Sequence, residues 1–542
     1  MSPRESDIME QNAAPDAEKS LSGVKSTPAD DAVPTKDSQV SRPQMSTWQR
    51  RVVMFSMCLA LFLSALDVTI VATALPTIAR TLGASAADYA WIGSSYTLAS
   101  TSSSPIWAKL SDIFGRKSVL MVCNGVFMAG SLISALSQST NMLIGGRVVQ
   151  GLGSGGSMVL VTIIIGDLFE LKDRAKYYGL TGLVWAVAAS VGPILGGVFT
   201  QTIGWRWCFW INLPFDGASI VVLFFGLKVQ WPHLSLKEGL QSLDWIGSLT
   251  IVGGTICFLY GLESGSGGLH AWNSAFVLCL IICGVVLLAL FCFWEARYAK
   301  NPLIPTRIFR KTTNIASFAT TCLHSFIFIT YDYFLPLYFQ VCLGFTPIIS
   351  GVTLFALVIP LSIVTFGTGI VVRKTGNYLP SIWVGTSVMT LGTGLFISLG
   401  PTTNWAKIIM FLIIAGVGAG PLFQAPMIAL QSHVDPKDVA MATSAMSFSR
   451  NLFTSTSIVI GSVLLQKTLG GEALTTSSAG SEDSSARYAS ALRIMWIFYT
   501  AMSGLLILVS LLIKRKDLLH EEKADTLSDG EAQVAAKVTE VK

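Results

Sequence analysis

Charged residues are scarce in this chain of 542 residues, where they make up 13% of the sequence, about half the ~25% of an ordinary soluble domain. The stretch from 52 to 513 is poorer still, with 24 Lys and Arg and 17 Asp and Glu in 462 positions. So few charges do not cover a water-soluble surface. The composition therefore excludes a string of soluble domains, although the length alone would suit three or four of them.

Several chemical signatures are also missing. Nine cysteines are too few for a disulfide scaffold, and most stand inside apolar runs. The five histidines form no cluster with metal-ligand spacing, and no Gly-x-x-x-x-Gly-Lys-Ser/Thr phosphate loop occurs. The scattered net charge of +5 does not suit nucleic acid. We therefore predict no enzyme activity, no catalytic residue, no metal site and no cofactor; work against a gradient would need an ion gradient to drive it.

What the chain has instead is long apolar runs. About 20 apolar residues cross the ~30 Å hydrocarbon core as a helix. We predict fourteen such spans, at 52–74, 89–110, 117–137, 141–163, 177–200, 208–228, 244–263, 274–295, 314–341, 350–371, 379–399, 406–430, 442–466 and 491–513.

Basic residues favour one side of these spans. The side of the N-terminal tail carries 22 Lys and Arg near the spans, and the opposite side carries six. Because cytoplasmic loops are enriched in Lys and Arg, this split predicts that both termini are cytoplasmic. Residues 1–49 and 517–542 are polar and lack an apolar stretch, which predicts disordered tails.

Two ionisable residues fall deep inside the first and fourth spans. By the helical rise, Asp67 lies about 22 Å from the cytoplasmic face and Arg147 about 21 Å from it. An acid and a base at one depth can neutralise each other, and protonation of the acid would release the base. Both a static ion pair and a proton-titrating site fit this pattern; the cost of a buried pair favours the second. Asp216, just past Pro214, is interpreted as an interface residue.

A substrate pocket is predicted in the second half of the chain. Arg450 lies about 15 Å into its span, where it would bind an anion or a cluster of carbonyl groups, or snorkel along a cavity wall. Asp332 stands in an aromatic run, and an acid in an aromatic wall suits cationic or amphipathic ligands. An interfacial aromatic belt is the alternative. The predicted pocket residues are Tyr331, Asp332, Phe339, Gln340 and Arg450.

The loop after the second span carries the first resemblance to a known family. Residues 108–117 read Ala-Lys-Leu-Ser-Asp-Ile-Phe-Gly-Arg-Lys and resemble the Gly-x-Leu-x-Asp-Arg-x-Gly-Arg-Lys loop of the major facilitator superfamily. Ala108 and Ile113 replace the first Gly and the first Arg of that loop. In the first half, residues 66–76, 147–151 and 192–197 are similar to motifs of the 14-spanner drug:proton antiporters.

Other segments, 205–214, 302–305 and 338–340, also fit that family, whereas Phe453 and Thr454 stand where it usually has glycines. The resemblance implies an all-α polytopic membrane protein with 14 transmembrane helices, formed by two six-helix bundles and two intervening helices. The implied parts are a cytoplasmic tail at 1–50, bundles at 51–228 and 312–513, a two-helix insertion with loops at 229–311, and a second tail at 514–542.

The resemblance also implies roles for residues. Asp67 and Arg147 would couple transport to protons, and a loop and a small-residue motif would gate the conformational change. The gating residues implied are Asp112, Gly115, Arg116, Lys117, Gly192, Pro193, Gly196 and Gly197.

The function implied is proton-coupled export of amphipathic organic compounds, such as toxins, secondary metabolites or antifungal drugs, by alternating access. We expect a monomer in the plasma membrane, with the vacuolar membrane as second choice; its partners would be protons, lipid and a small-molecule substrate, without nucleic acid. Three alternatives stay open: a vacuolar transporter of basic amino acids, a siderophore carrier, and a membrane sensor that binds ligand without moving it.

Overall fold

The computed structural model describes residues 46–84, 86–226, 236–241, 243–266, 270–469 and 482–516. These residues form helices and turns, and no strand occurs among them. The helices are α1 Thr47–Leu82, α2 Ala86–Phe114, α3 Arg116–Ala135, α4 Thr140–Leu168, α5 Leu171–Gln201, α6 Trp207–Trp210, α7 Asn212–Gly226, α8 Leu236–Gln241, α9 Trp245–Ser266, α10 Ala275–Arg297, α11 Thr312–Leu337, α12 Pro347–Thr375, α13 Leu379–Phe396, α14 Trp405–Ala419, α15 Ala425–His433, α16 Val439–Thr468 and α17 Glu482–Ser510. Apart from 46–50 and 514–516, the predicted tails lie outside the described residues.

Local sequence fixes the ends of the first helix. Ser46 and Gln49 form a capping box, in which each side chain bonds to the backbone N–H of the other. Gly83 ends the helix in the left-handed region, at φ 64°, where glycine has no steric penalty. Between these caps the residues are mostly apolar, so the helix satisfies its own backbone hydrogen bonds in an apolar environment.

Eleven helical segments among the described residues are long and apolar enough to cross a membrane. The other three predicted spans, 89–110, 314–341 and 442–466, coincide with α2, α11 and α16, which have 26 to 30 residues but more polar sequences. Their hydroxyl groups bond to backbone carbonyl oxygens, as Ser104 Oγ does to Ser100 O at 2.7 Å. The all-helical fold is as predicted, and the count of fourteen spans stays a prediction.

The helices pack as two halves, here called the first half (α1–α7) and the second half (α11–α17). In the first half, α1 packs against α5 and α7, and α4 against α2 and α3. In the second half, α11 packs against α16 and α17, and α14 against α12 and α13. Contacts of α5 with α12 and of α2 with α16 join the halves. The described residues all belong to one compact unit, and the predicted domain boundaries stay predictions.

The insertion between the halves contains α9 and α10, which pack against each other; α9 also contacts α2 and α16. A small apolar cluster joins the insertion to α16 through Ile251, Phe291 and Phe448. On α2, the ring of Trp91 meets that of Tyr260 on α9 edge to face, 4.8 Å between centroids. The insertion thus lies against one seam between the two halves.

We call the end of the bundle at which α1 begins and α17 ends the tail face, and the other end the far face. At the tail face, Lys514 N donates to Thr313 Oγ1 at the start of α11, at 3.3 Å. Nearby, Arg307 donates two hydrogen bonds of 2.5 Å to Asp438, which raise the pKa of Arg307. These contacts fix the ends of α11 and α16 at the same face.

Candidate functional site

The structure joins Asp67 on α1 to Arg147 on α4 in a buried ion pair. Arg147 Nη1 donates to Asp67 Oδ2, and the two side chains are 2% and 0% exposed. Arg147 Nε donates to Ile92 O on α2 at 3.2 Å. Its guanidinium carbon lies 4.4 Å from the ring centroid of Tyr96, a cation–π geometry. The pair therefore lies inside the first half, away from lipid, with the arginine held from two helices.

Three further side chains complete this site. Gln150 Nε2 donates to Asp67 Oδ1 at 3.0 Å and to Ser131 Oγ at 2.8 Å. Asn212 Nδ2 donates to the same Asp67 oxygen at 3.2 Å. The Gln150 carbonyl oxygen accepts from Arg147 Nη1 at 3.0 Å. We call Asp67, Arg147, Gln150, Asn212 and Ser131 the Asp67 network; its members come from α1, α3, α4 and α7.

The Asp67 network has a clear chemical property. As a carboxylate, Asp67 accepts charge-assisted hydrogen bonds, which are the strong ones in a low-dielectric interior. If Asp67 takes up a proton, Arg147 becomes a buried cation without its counter-charge, and such an unpaired charge costs several kcal/mol. The opposite charges of Asp67 and Arg147 therefore tie α1 to α4 at this point.

The sequence reading missed part of this network. Gln150 follows Arg147 by three residues and therefore shares a helix face with it. Its place in the network could have been predicted from this spacing. Asn212 and Ser131 offered no such signal, because nothing in the sequence shows which side of their helices is buried. Asp216, interpreted above as an interface residue, is 1% exposed, and its Oδ2 has no hydrogen-bond partner among the described residues. This part of α7 packs inside the first half, against α1 and α3, and the depth of Asp216 at the outer membrane interface stays a prediction.

The small residues of α5 lie against the helix that carries Asp67. A Cβ on Gly192 would overlap Thr69 Oγ1, and one on Gly196 would overlap Thr73 Oγ1. Gly197 faces open space, with no atom within 4 Å of an added Cβ. Only two of the three predicted glycines thus permit the close approach of α5 to α1.

Pro193 lies on another side of α5. A Cβ on Gly351 of α12 would stand 3.9 Å from the Pro193 Cβ. Because proline lacks the N–H of a helix ladder bond, it also weakens the helix at this point. The predicted gating motif therefore touches helices of both halves.

The predicted gating loop forms a polar cluster at the tail face. Arg116 Nη1 donates to Asp112 Oδ1, and Arg116 Nε donates to Asp167 Oδ2 on α4 at 2.8 Å. Gly115 takes φ 88° at the start of α3, a conformation that side chains disfavour. Lys117 Nζ donates to the carbonyl of Phe224, at the end of α7, at 2.5 Å. The loop thus ties α2, α3, α4 and α7 together at one face.

Polar contacts also join the two halves at the tail face. Tyr178 is fully buried; its carbonyl oxygen accepts from Gln424 Nε2 at 2.6 Å, and its hydroxyl accepts from Gln431 Nε2 at 2.9 Å. An ion pair of 2.5 Å connects Asp173 on α5 to Arg373 on α12. The structure therefore holds the halves together at this face.

The structure separates the predicted pocket residues into different environments. Tyr331 and Phe339 are fully buried inside the second half, where the Tyr331 hydroxyl bonds to Thr393 Oγ1 at 2.5 Å. Gln340 lies in a π-helical turn after α11 and is 3.5 Å from Ser350 Oγ. Asp332, next to Tyr331 in sequence, is exposed. Tyr331 and Phe339 thus belong to the packed core rather than to an open surface.

Arg450 lies elsewhere, on α16. Its guanidinium carbon is 4.6 Å from the ring centroid of Phe423. Phe423 also meets the rings of His324 and Phe328 on α11, at 4.8 and 5.0 Å. Arg450 is thus grouped with these rings, and Phe328 in turn meets the ring of Tyr331 edge to face, 6.0 Å between centroids. As for metals, the described part of the chain contains no group of three or more His, Cys, Asp or Glu that could hold one.

Two helical halves of long apolar helices, one of which encloses a buried ion pair, are the architecture of a multi-pass membrane transporter. The profile of the Major Facilitator Superfamily matches residues 57–253 and 243–458. The chain belongs to this superfamily, and it is a transporter rather than an enzyme.

Similar curated proteins cover most of the chain. It is 43% identical to the efflux pump dotC of Dothistroma septosporum over 86% of this chain and 84% of that protein. It is 43% identical to the MFS-type transporter ppz2 of Metarhizium majus, over 90% and 88%. The efflux pump FUS6 of Gibberella fujikuroi is 35% identical, over 78% and 77%.

Among solved structures, the fold resembles that of the human organic anion transporter MFSD10. The TM-score is 0.56 at 16% identity, over 86% of this chain and 99% of that one. At this identity the likeness shows the shared fold alone.

Proposed function

We propose that this protein is a proton-coupled antiporter that exports amphipathic organic compounds by alternating access. The observation that carries the proposal is the Asp67 network, a fully buried carboxylate paired with an arginine and two amides. A buried acid–base pair is a costly way to hold two helices together. In the proposed mechanism this pair has two states. In one, Asp67 is charged and paired with Arg147, and in the other Asp67 is protonated.

The packing of α5 supports a connection between this pair and the tail face. Gly192 and Gly196 bring α5 against the residues of α1 that follow Asp67. The same helix carries Tyr178, which bonds to the second half through Gln424 and Gln431. A shift of α1 on protonation would therefore act on a helix that holds the tail face closed.

The direction and location of transport rest on other observations. We propose that the tail face is cytoplasmic, because it carries the excess of Lys and Arg. The names efflux pump dotC and efflux pump FUS6 of two relatives support export. We place the protein in the plasma membrane and propose that no bound cofactor takes part, since the proton gradient supplies the driving force.

Transport by the purified full chain in liposomes tests the proposal. Vesicles with an imposed pH gradient receive a panel of fluorescent amphipathic compounds, with and without a proton ionophore. The parent chain should accumulate at least one compound, and the ionophore should abolish this. Asp67→Asn should accumulate the compound more than tenfold less than the parent does. It should still exchange labelled for unlabelled compound when the two are at equal concentrations.

Asp216→Asn is the matched control, because it removes another buried carboxylate of the same half that lies outside the Asp67 network. It should accumulate the compound like the parent. If Asp67→Asn accumulates as well as the parent, Asp67 does not carry the proton. If no compound moves in any gradient, the protein is not a transporter of this class of compound.

A further inference from the structure

Arg450 is a cation without a counter-charge in the interior of the second half. Its side chain makes no ion pair or hydrogen bond among the residues that the structure describes. Its guanidinium lies over the ring of Phe423 in a cation–π contact. The residue stands eleven positions after Val439, where α16 begins, so it lies about 16 Å along the helix. This depth puts a guanidinium near the middle of the bilayer.

The ring contact does not balance the cost of this position. A cation–π contact stabilises a cation by less than it costs to hold a charged arginine at the centre of a bilayer. Arginines at such depth otherwise pair with an anion or face a water-filled cavity. Arg450 is partly exposed, so protein atoms do not cover all of its side chain.

The second half does not supply an anion of its own for Arg450. Its predicted spans contain a single carboxylate, that of Asp332. Asp332 follows His324, the neighbour of Phe423, by eight residues, which is about 12 Å along α11. In the first half, Asp67 is already paired with Arg147. The geometry therefore leaves the anion position at Arg450 open to a molecule from outside the protein.

The side chains around Arg450 are aromatic. Phe328 and Phe423 are partly exposed and meet edge to face with centroids 5.0 Å apart. His324 lies behind them, fully buried, and neither of its ring nitrogens has a hydrogen-bond partner among the described residues. We call Arg450, Phe423, Phe328 and His324 the arginine pocket.

We propose that the arginine pocket binds the acid group of the transported compound, and that the cargo is an aromatic compound with an ionised carboxylate or acidic phenol. A guanidinium binds carboxylates through two parallel hydrogen bonds, and aromatic rings pack against Phe328 and Phe423. This inference takes the cargo class from the proposed function, but binding at the pocket does not depend on proton coupling.

The test compares two probes that differ in one charge. Anthraquinone-2-carboxylate and its methyl ester are titrated calorimetrically into the purified full chain in nanodiscs, without a proton gradient. Empty nanodiscs correct for partition of each probe into lipid. The parent should bind the carboxylate at least tenfold more tightly than the ester, and Arg450→Gln should reduce this preference to less than threefold.

Lys407→Gln is the matched control, since Lys407 is another cation beside an aromatic ring of the second half, 5.7 Å from the centroid of Phe411. It should keep the full preference. Phe423→Leu should weaken binding of both probes about fivefold and keep the preference for the acid. If Arg450→Gln does not fold, Arg450→Lys answers the same question, with an expected preference between threefold and tenfold.

Equal binding of acid and ester by the parent, or an unchanged preference in Arg450→Gln, would overturn the proposal. These results are separate from those of the liposome assay. Export of uncharged compounds by a chain without acid preference would refute the arginine pocket and leave antiport standing. Acid-selective binding by a chain that moves nothing would refute antiport and leave the pocket standing.

Discussion

At the scale of single residues, the carboxylate of Asp67 is notable for its number of hydrogen-bond donors. Arg147 and Gln150 reach it from α4 and Asn212 reaches it from α7. A static lock between two helices would need only the ion pair. The amides of Gln150 and Asn212 add two hydrogen bonds to the carboxylate beyond the ion pair.

Removal of one amide should weaken the folded state measurably. Asn212→Ala deletes one donor to Asp67 and to Ser131, both of which keep Gln150 as a donor, and a hydrogen bond to a charged group contributes about 1.5–3 kcal/mol. We expect a lower unfolding temperature of the detergent-solubilised protein, measured by intrinsic fluorescence.

The comparison for that variant is Asp216→Asn, one turn further along α7. Because one carboxyl oxygen of Asp216 is buried without a partner among the described residues, an uncharged amide should keep or raise the unfolding temperature. An equal fall of the unfolding temperature in both variants would show that α7 tolerates no change at these positions. The hydrogen bond to Asp67 would then not explain the effect of Asn212→Ala.

The matching depth of Asp67 and Arg147 could be predicted from the sequence because the helical rise per residue is constant. It did not foresee that Tyr331 and Asp332 have opposite environments, one fully buried and the other exposed. Successive residues on a helix point about 100° apart, so an aromatic run gives side chains to every side. Which side meets the core depends on neighbouring helices that the sequence does not identify.

At the scale of helices, the contact of α1 with α5 requires glycine at particular positions. Gly192→Ala and Gly196→Ala each place a methyl group where threonine side chains of α1 already lie. Overpacking of this kind costs about 1–3 kcal/mol. We expect lower unfolding temperatures and lower yields of folded protein for both variants.

Gly197→Ala adds the same methyl group on the same helix, where no atom lies within 4 Å. It should behave like the parent, or be slightly more stable because alanine favours helix. A loss of stability in Gly197→Ala as large as in Gly196→Ala would argue against a specific contact between α1 and α5.

Helix positions were predictable where the physical constraint was length and apolar character. The structure has helices at the predicted span positions, yet α2, α11 and α16 are too polar for hydropathy to identify them alone. Local breaks were not foreseen. The predicted span 406–430 is interrupted by a 3-10 turn at Gly420–Phe423, and the end of 314–341 forms a π-helical turn. Such breaks depend on packing, which no single stretch of sequence encodes.

At the scale of the whole molecule, the tail-face contacts make a prediction about the transport cycle. Cysteines in place of Asp173 and Arg373, which form an ion pair between α5 and α12, can be joined by a short, reducible bifunctional thiosulfonate. Because alternating access requires the tail face to open, the cross-link should reduce transport at least tenfold, and a reductant should restore it.

Each single-cysteine variant, treated with the same reagent, controls for modification of the native cysteines, of which three on α10 are exposed. Peptide mass spectrometry identifies the linked pair. Undiminished transport by the cross-linked protein would mean that this face does not open during the cycle.

The sequence supports the existence of two halves through the order of its spans, but it does not show which face is closed. One sequence must support every state of an alternating transporter, since the states differ in free energy by only a few kcal/mol. The contacts of Tyr178 and Asp173 belong to one of these states. No pattern in the chain would have selected that state over the others.

The position of α9 has a consequence for molecules dissolved in the bilayer. A six-plus-six bundle has two lateral seams, one between α2 and α16 and one between α5 and α12. Because α9 packs against both α2 and α16, the first seam is covered by a helix that belongs to neither half. Among the described residues no such helix covers the seam between α5 and α12, so a lipophilic molecule that diffuses sideways through the membrane would meet two different seams.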